Sequence, residues 1–68
     1  MQIFGFYKSA ITGTEIECAL IVQDGVAEWR YSDGRRIMGS PIWTSNHLEG
    51  MEWFRNVYAD LGVRFEMR

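Results

Sequence analysis

Val26-Ala27-Glu28-Trp29-Arg30-Tyr31 is a short β-prone run that lies between two Asp-Gly pairs, Asp24-Gly25 and Asp33-Gly34. Both central residues of a two-residue type I′ turn need a positive φ, which glycine adopts freely and aspartate tolerates better than most residues. Two such turns around one run of this composition predict the middle strand of an antiparallel meander.

The first turn fixes how the middle strand pairs with the strand before it. A hairpin closed at Asp24-Gly25 puts Leu20 opposite Trp29 and Ile21 opposite Glu28, and alternate pairs share one face of the sheet. One face then collects the apolar side chains, which are Cys18, Leu20, Val22, Ala27, Trp29 and Tyr31. The other face carries Glu17, Glu28 and Arg30 with Ala19 and Ile21. We therefore expect the first face to be the core.

The second Asp-Gly pair predicts a fourth strand that begins at Arg36. A two-residue turn at Asp33-Gly34 pairs Trp29 with Met38 and Arg30 with Ile37, so Met38 is expected in the core and Ile37 on the opposite face. Pro41 follows and donates no ladder hydrogen bond, which favours an edge position for this strand.

The rest of the chain completes an α+β fold with the element order β-β-β-β-α-β. Strands are expected over residues 2–8, 14–22 and 63–67, and the last of them is placed beside the first. The helix is expected to begin near residue 45–47, with Thr44 or Asn46 as its N-cap. Its apolar stripe is Met51, Phe54, Tyr58 and Leu61. We expect a single domain, residues 1–68, in which this helix covers the apolar face of an antiparallel meander sheet.

Composition narrows the class of protein. Hydrophobic residues make up 47% of the chain and aromatic residues 15%, which argues against disorder. A single cysteine, Cys18, excludes an intrachain disulfide and favours the cytoplasm. The apolar run 18–22 is far too short to cross a bilayer, and no leader sequence is evident. We therefore expect a cytoplasmic protein with no membrane partner.

Catalysis and metal binding are not expected. His47 lies in the first helical turn without an orienting partner or companion ligands. Cys18 lies on the predicted core face, where a thiol behaves as a small hydrophobic group. We expect no enzymatic activity, no cofactor and no metal.

Charged and apolar residues outside the predicted core form a candidate partner-binding surface. Its acidic part could meet a basic partner or imitate nucleic-acid phosphates, and its arginines could bind phosphate or an acidic partner. Apolar groups surrounded by charge often mark interaction surfaces. The candidate partner-binding residues are Glu15, Glu17, Glu28, Arg30, Arg35, Arg36, Ile37 and Trp53.

The segment from Thr44 to Phe54 combines a polar cap with a helix that contains adjacent Trp53-Phe54. Together with the meander and the net charge of −2, it resembles small phage or mobile-element inhibitors of host defence, including anti-CRISPR proteins. The resemblance implies a non-enzymatic protein–protein binding module that inhibits a host nucleic-acid-binding complex in the host cytosol. A homodimer is compatible with this reading, because an edge strand and a small core both favour self-association.

The alternative hypothesis is a small DNA-binding domain. Three strands followed by a helix, from Glu15 to Leu61, are similar to integrase arm-binding and plant AP2-type domains. The resemblance implies DNA contacts by Arg30, Arg35 and Arg36 from the sheet face. However, the glutamates on or beside that face would repel phosphate, and the net charge of −2 points the same way. Nucleic acid is therefore the less favoured partner.

Overall fold

The computed structural model describes residues 2–44 and 47–68, which form one antiparallel sheet and one helix. The elements are β1 (Ile3–Lys8), β2 (Glu15–Gln23), β3 (Val26–Tyr31), β4 (Trp43–Thr44), α1 (His47–Val57) and β5 (Arg64–Met67). The strand order across the sheet is β4-β3-β2-β1-β5. The predicted α+β class, the element order and the placement of the last strand beside the first are therefore confirmed.

The first hairpin has the predicted turn and the predicted register. Asp24 has a φ of 54° and Gly25 a φ of 78°, which are the two positive values that a type I′ turn requires. β2 and β3 pair with Leu20 opposite Trp29 and Ile21 opposite Glu28. Because this register is correct, the core-facing residues Cys18, Leu20, Ala27 and Trp29 are all buried, as predicted.

The second hairpin is one residue longer than predicted. Tyr31 N–H donates to the Arg35 carbonyl at 2.8 Å, and Gly34 N–H donates to the Tyr31 carbonyl at 2.9 Å. Residues 32–34 therefore form a three-residue loop in which Gly34, with a φ of 90°, takes the left-handed position. Asp33 does not need a positive φ here, and its Oδ1 accepts the Arg35 N–H at 2.9 Å.

The longer loop shifts the register by one residue and reverses the faces of the side chains that follow. Arg30 lies opposite Arg36, and Ile37 N–H donates to the Trp29 carbonyl at 3.2 Å. Ile37 is therefore buried, at 3% exposure, and Met38 is 95% exposed, so both predicted placements are wrong. The predicted fourth strand at 36–38 is reduced to a single bridge, and the regular fourth strand is Trp43–Thr44, paired with Val26 and Ala27.

The core is an aromatic cluster between the inner face of the sheet and α1. Phe54 and Trp29 are fully buried, with ring centroids 4.5 Å apart. Both rings pack against the backbone of Gly5, where an added Cβ would lie 2.9 Å from the Phe54 ring and 3.0 Å from the Trp29 indole. A glycine in the middle of β1 thus makes room for the two largest fully buried side chains.

The edges of the core differ from expectation at two further positions. Val22, predicted to face inward, is 46% exposed, so on β2 the core ends at Leu20. Trp53, predicted to lie outside the core as a partner-binding residue, is half-buried and packs edge-on against Trp43 at 5.7 Å between ring centroids.

The helix begins at His47, within the predicted range, and ends at Val57. Of the two predicted N-caps, Asn46 lies outside the described residues, as does the side chain of Thr44. Tyr58 and Leu61 of the predicted apolar stripe therefore lie beyond the helix, in a turn that carries the chain to Gly62, whose φ is 68°. In the described part of the chain, no helix is both long and apolar enough to cross a membrane.

Candidate interaction surface

The face of the sheet turned away from α1, called the outer face below, gathers most of the predicted partner-binding charges. The pairings of β1 with β2 and β5 and of β2 with β3 place alternate residues of these strands on it. Its members are Phe4, Phe6, Lys8, Glu15, Glu17, Ala19, Ile21, Glu28, Arg30, Arg64 and Glu66, with Arg68 just beyond β5. The predicted residues Glu15, Glu17, Glu28 and Arg30 therefore share one surface.

Two arginines lie over the two phenyl rings of this face. The guanidinium carbon of Arg64 is 4.0 Å from the centroid of Phe6, and that of Arg68 is 4.2 Å from the centroid of Phe4. A guanidinium over an aromatic face is attracted by the ring quadrupole, and its aliphatic stem covers apolar surface. Phe6 is consequently only 4% exposed, although it points away from the core.

The same two arginines connect three glutamates across β2, β1 and β5. Arg64 pairs with Glu15 at 2.8 Å and also with Glu66. Arg68 pairs with Glu66 at 2.7 Å and with Glu17 at 3.4 Å. Hydrogen bonds from Arg64 are the main reason that the pKa of Glu15 and the pKa of Glu66 are both lowered. Each of the three glutamates at this end of the outer face therefore pairs with at least one arginine.

Glu28 carries a separate ion-pair group at the β3 side of the outer face. The Nε of Arg30 donates to Glu28 Oε1 at 2.9 Å, and the Nε of Arg36 lies 3.5 Å from Glu28 Oε2. Arg36 also donates to the carbonyl of Ser40 at 2.7 Å. The predicted residues Glu28, Arg30 and Arg36 are thus brought together, and the one carboxylate is shared by two guanidinium groups.

Between these two ion-pair groups the outer face is apolar and slightly concave. One depression of about 270 Å³ lies against β1, β2 and β3, and a neighbouring one of about 230 Å³ extends toward the start of β1. Phe4, Ala19 and Ile21 line both depressions. Ala19 lies between Phe4 and Arg30 in the sheet, and its small side chain leaves the space that the depressions occupy.

The remaining predicted candidates lie elsewhere. Ile37 is buried in the core and Trp53 packs beside Trp43, so neither belongs to the outer face. Arg35 lies at the tip of the second hairpin, where it pairs with Asp33 at 2.6 Å and lies 5.5 Å from the Tyr31 ring centroid. Arg35 is therefore exposed but separate from the ion pairs around Glu28.

Several residues of this surface were not identified from the sequence. These are Phe4, Phe6, Arg64, Glu66 and Arg68, together with Ala19 as the floor of the depressions. The alternation of charge in β5 and the aromatic residues on both faces of β1 were the available signals. Combining them required the side-by-side pairing of β1 and β5, which joins residues about sixty positions apart.

Cys18 and His47 lie apart from the outer face. The Cys18 side chain is fully buried, and burial, with a smaller contribution from Glu17, raises the pKa of its thiol to about 12. His47 is exposed at the first residue of α1. Within residues 2–44 and 47–68, no three His, Cys, Asp or Glu side chains form a group suited to a metal ion.

Three tyrosines form a further polar cluster at one end of the core. The rings of Tyr7 and Tyr58 are stacked, with centroids 3.8 Å apart and planes 3° apart. Burial is the main reason that the pKa of Tyr7 is raised well above its usual value, followed by a hydrogen bond with Tyr31. The pKa of Tyr58 is raised as well, mainly by burial. The hydroxyls of Tyr7 and Tyr58 therefore stay protonated at neutral pH.

Comparisons with known proteins add no relative. No protein-family model matches the chain, and no curated protein sequence and no solved structure is significantly similar to it. The functional argument therefore depends on the surface itself.

Proposed function

We propose that this chain is a protein-binding module and that the outer face is its recognition surface. The observation that carries the proposal is the open apolar floor of Phe4, Ala19 and Ile21 between two groups of arginine–glutamate ion pairs. Protein interfaces commonly combine an apolar centre with a polar rim and are enriched in arginine and aromatic residues. Ile21 is 38% exposed at the centre of this floor and is available to a partner.

The charges of the outer face favour a partner surface that carries apolar groups and charges of both signs. Its four glutamates are matched by Arg30, Arg36, Arg64 and Arg68, so it offers no unbalanced acidic patch that would imitate nucleic-acid phosphates. Exposed ion pairs contribute little to folding, and they exchange partners readily. We infer that a partner would bury the apolar floor and form new pairs with the rim.

A host protein complex, as in the small inhibitors of host defence that the chain resembles, is the partner class that we propose. Support for this class comes from an outer face that is suited to protein contact. DNA is the weaker proposal, because each arginine of the outer face already pairs with a carboxylate.

The experiment fills the depressions without touching the core. In Ala19→Tyr a ring would occupy the space that Ala19 leaves, and tyrosine is well tolerated in strands. The matched control is Ala10→Tyr, since Ala10 is exposed in the loop between β1 and β2. The wild type and both variants would be used to capture partners from lysates of the source and host cells, with quantitative mass spectrometry.

We expect a partner that is retained by the wild type and by Ala10→Tyr and is lost, about tenfold or more, with Ala19→Tyr. A set of captured proteins that is the same for all three chains would contradict the proposed surface. Salt-dependent binding to random duplex DNA, weakened by Arg30→Gln but unaffected by Ala19→Tyr, would instead support the DNA alternative.

A further inference from the structure

β5 is the last strand of the sheet, and its free edge has a defined hydrogen-bonding pattern. Gln2 N–H donates to the Arg68 carbonyl at 2.6 Å, and Arg68 N–H donates to the Gln2 carbonyl at 2.8 Å. Bonded and non-bonded pairs alternate along an antiparallel ladder, so Glu66 and Arg64 also bond to β1. The N–H and C=O groups of Phe65 and Met67 therefore point away from β1, toward the free edge.

The side chains of this segment are arranged symmetrically about Phe65. Val63, Phe65 and Met67 lie on the side of the helix, whereas Arg64 and Glu66 lie on the outer face. A second copy that pairs antiparallel about a two-fold axis at Phe65 puts Arg64 of each chain opposite Glu66 of the other. The same axis puts Val63 opposite Met67, so the charged and the apolar residues both meet complementary partners.

The hydrogen-bonding pattern agrees with this register. With the axis at Phe65, the two Phe65 residues form a hydrogen-bonded pair, and so do Val63 and Met67 on either side. Arg64 and Glu66 fall at the non-bonded positions, where opposing side chains approach more closely. An axis at Arg64 or at Glu66 would instead put like charges directly opposite each other.

A register centred on Met67 is less complete. It pairs Glu66 with Arg68, but it places Arg64 and Phe65 opposite positions that lie beyond Met67, where β5 ends. The register about Phe65 therefore satisfies more hydrogen bonds and more side chains than its neighbours. Met67 is 52% exposed and Phe65 is half-buried, so both retain apolar surface that a second copy would cover.

We propose that the chain forms a two-fold symmetric dimer in which the β5 strands of two copies pair antiparallel about Phe65. The dimer continues the sheet through both copies and removes two free strand edges. It leaves the depressions around Ala19 uncovered, although it shares Arg64 and Glu66 with the rim of the proposed partner-binding surface.

The first experiment combines sedimentation equilibrium with amide hydrogen exchange by NMR over a range of concentrations. We expect the mass to rise from 7.9 kDa toward twice that value as the concentration increases. The amides of Phe65 and Met67 should become protected as the dimer forms, whereas those of Arg64 and Glu66 should be protected at every concentration. In a mixed-label sample, Arg64 Hα should show an intermolecular contact to Glu66 Hα.

Two variants test the edge without changing the core. Chemical synthesis with an N-methylated Phe65 amide removes the outward donor while keeping the phenyl ring and all bonds to β1. Met67→Lys puts a charge on the apolar side of the edge, and Met38→Lys is the matched control because Met38 is 95% exposed elsewhere. Each edge change should raise the dissociation constant about tenfold or more, and the control should not.

Three outcomes would overturn the dimer. The first is a chain that stays monomeric at a concentration of about 1 mM, where a dimer with a dissociation constant of about 1 mM would be clearly populated. The second is a dimer in which exchange of the Phe65 amide does not depend on concentration. The third is a dimer that survives N-methylation of Phe65 with unchanged affinity.

Discussion

The indole of Trp29 donates a hydrogen bond of 2.8 Å from its Nε1 to the carbonyl oxygen of Gly50, which connects β3 to α1. Both residues are buried, so the bond is shielded from water. An added Cβ at Gly50 would lie 3.3 Å from the methyl groups of Leu20. The small residue in α1 therefore lets the helix approach the sheet closely enough for the indole to reach the helix backbone.

Loss of this hydrogen bond should be measurable as lower stability. Trp29→Phe removes the donor and part of the buried ring, and we expect about 2–4 kcal/mol of destabilisation from the lost bond and the cavity together. Urea denaturation monitored by circular dichroism provides the measurement. Trp53→Phe is the control. Because Trp53 is only half-buried, this variant should lose clearly less free energy of unfolding than Trp29→Phe. Equal losses in the two variants would contradict the role of the hydrogen bond.

The close approach of the core rings to Gly5 makes that glycine more sensitive than Gly50. In Gly5→Ala the new methyl group would meet Phe54 and Trp29, which are enclosed on all sides, and we expect about 1–3 kcal/mol of destabilisation. In Gly50→Ala the neighbouring atoms are the mobile ends of Leu20, and alanine gains about 1 kcal/mol of helix propensity. A near-neutral Gly50→Ala beside a destabilised Gly5→Ala is expected in chemical denaturation.

The register of the second hairpin can be tested at two adjacent residues. Ile37 is buried and Met38 is exposed, so Ile37→Ala should cost about 2–4 kcal/mol while Met38→Ala stays within about 0.5 kcal/mol of the wild type. A two-residue turn at Asp33-Gly34 would produce the opposite order. The midpoint of urea unfolding for the two variants therefore reports the loop length directly.

Stability at alkaline pH should depend on the tyrosine cluster. The pKa of Tyr7 is raised in the folded chain, so above the unfolded value of about 10 the unfolded chain loses a proton that the folded chain keeps. The contribution of Tyr7 to the free energy of unfolding is therefore complete below that pH and should fall as the pH rises beyond it. Tyr7→Phe should flatten this fall, and ultraviolet titration of tyrosinate should show fewer groups ionising before unfolding. If stability fell equally with alkaline pH in the wild type and in Tyr7→Phe, the proposed role of Tyr7 would be contradicted.

Stability at acidic pH should depend on the arginine–glutamate network. The pKa values of Glu15 and Glu66 are lowered, so their contribution is present above the usual carboxyl pKa and is lost as the pH falls through the folded values. Glu15→Gln should weaken the pH dependence, and added salt should do the same because these carboxylates are exposed. NMR titration of the carboxyl carbons measures both values, and unshifted pKa values would argue against the network.

The two hairpins show what local sequence determines in this fold. At Asp24-Gly25 both residues take positive φ values, and the register followed from the turn. At Asp33-Gly34 the same dipeptide occupies the last two positions of a three-residue loop, because aspartate also fits a right-handed position and can accept an amide hydrogen bond. The local pattern is compatible with both loops, and only burial of Ile37 distinguishes them.

The candidate surface was predicted in part for a similar reason. Glu15, Glu17, Glu28 and Arg30 were placed correctly on one face, since they follow from strand alternation and one turn. The pairing of Glu15 with Arg64 and of Glu17 with Arg68 depends on contacts across the sheet that no local pattern specifies. The acidic character that the sequence suggested is therefore reduced once β5 lies beside β1.

The stacking of Arg64 on Phe6 and of Arg68 on Phe4 has a consequence for how a partner would be met. Each guanidinium shields an aromatic ring from water, and a partner carboxylate that draws the arginine aside uncovers that ring at the same moment. The partner would then form an ion pair and an apolar contact in the same step. Its affinity would therefore fall less with added salt than the number of charges suggests.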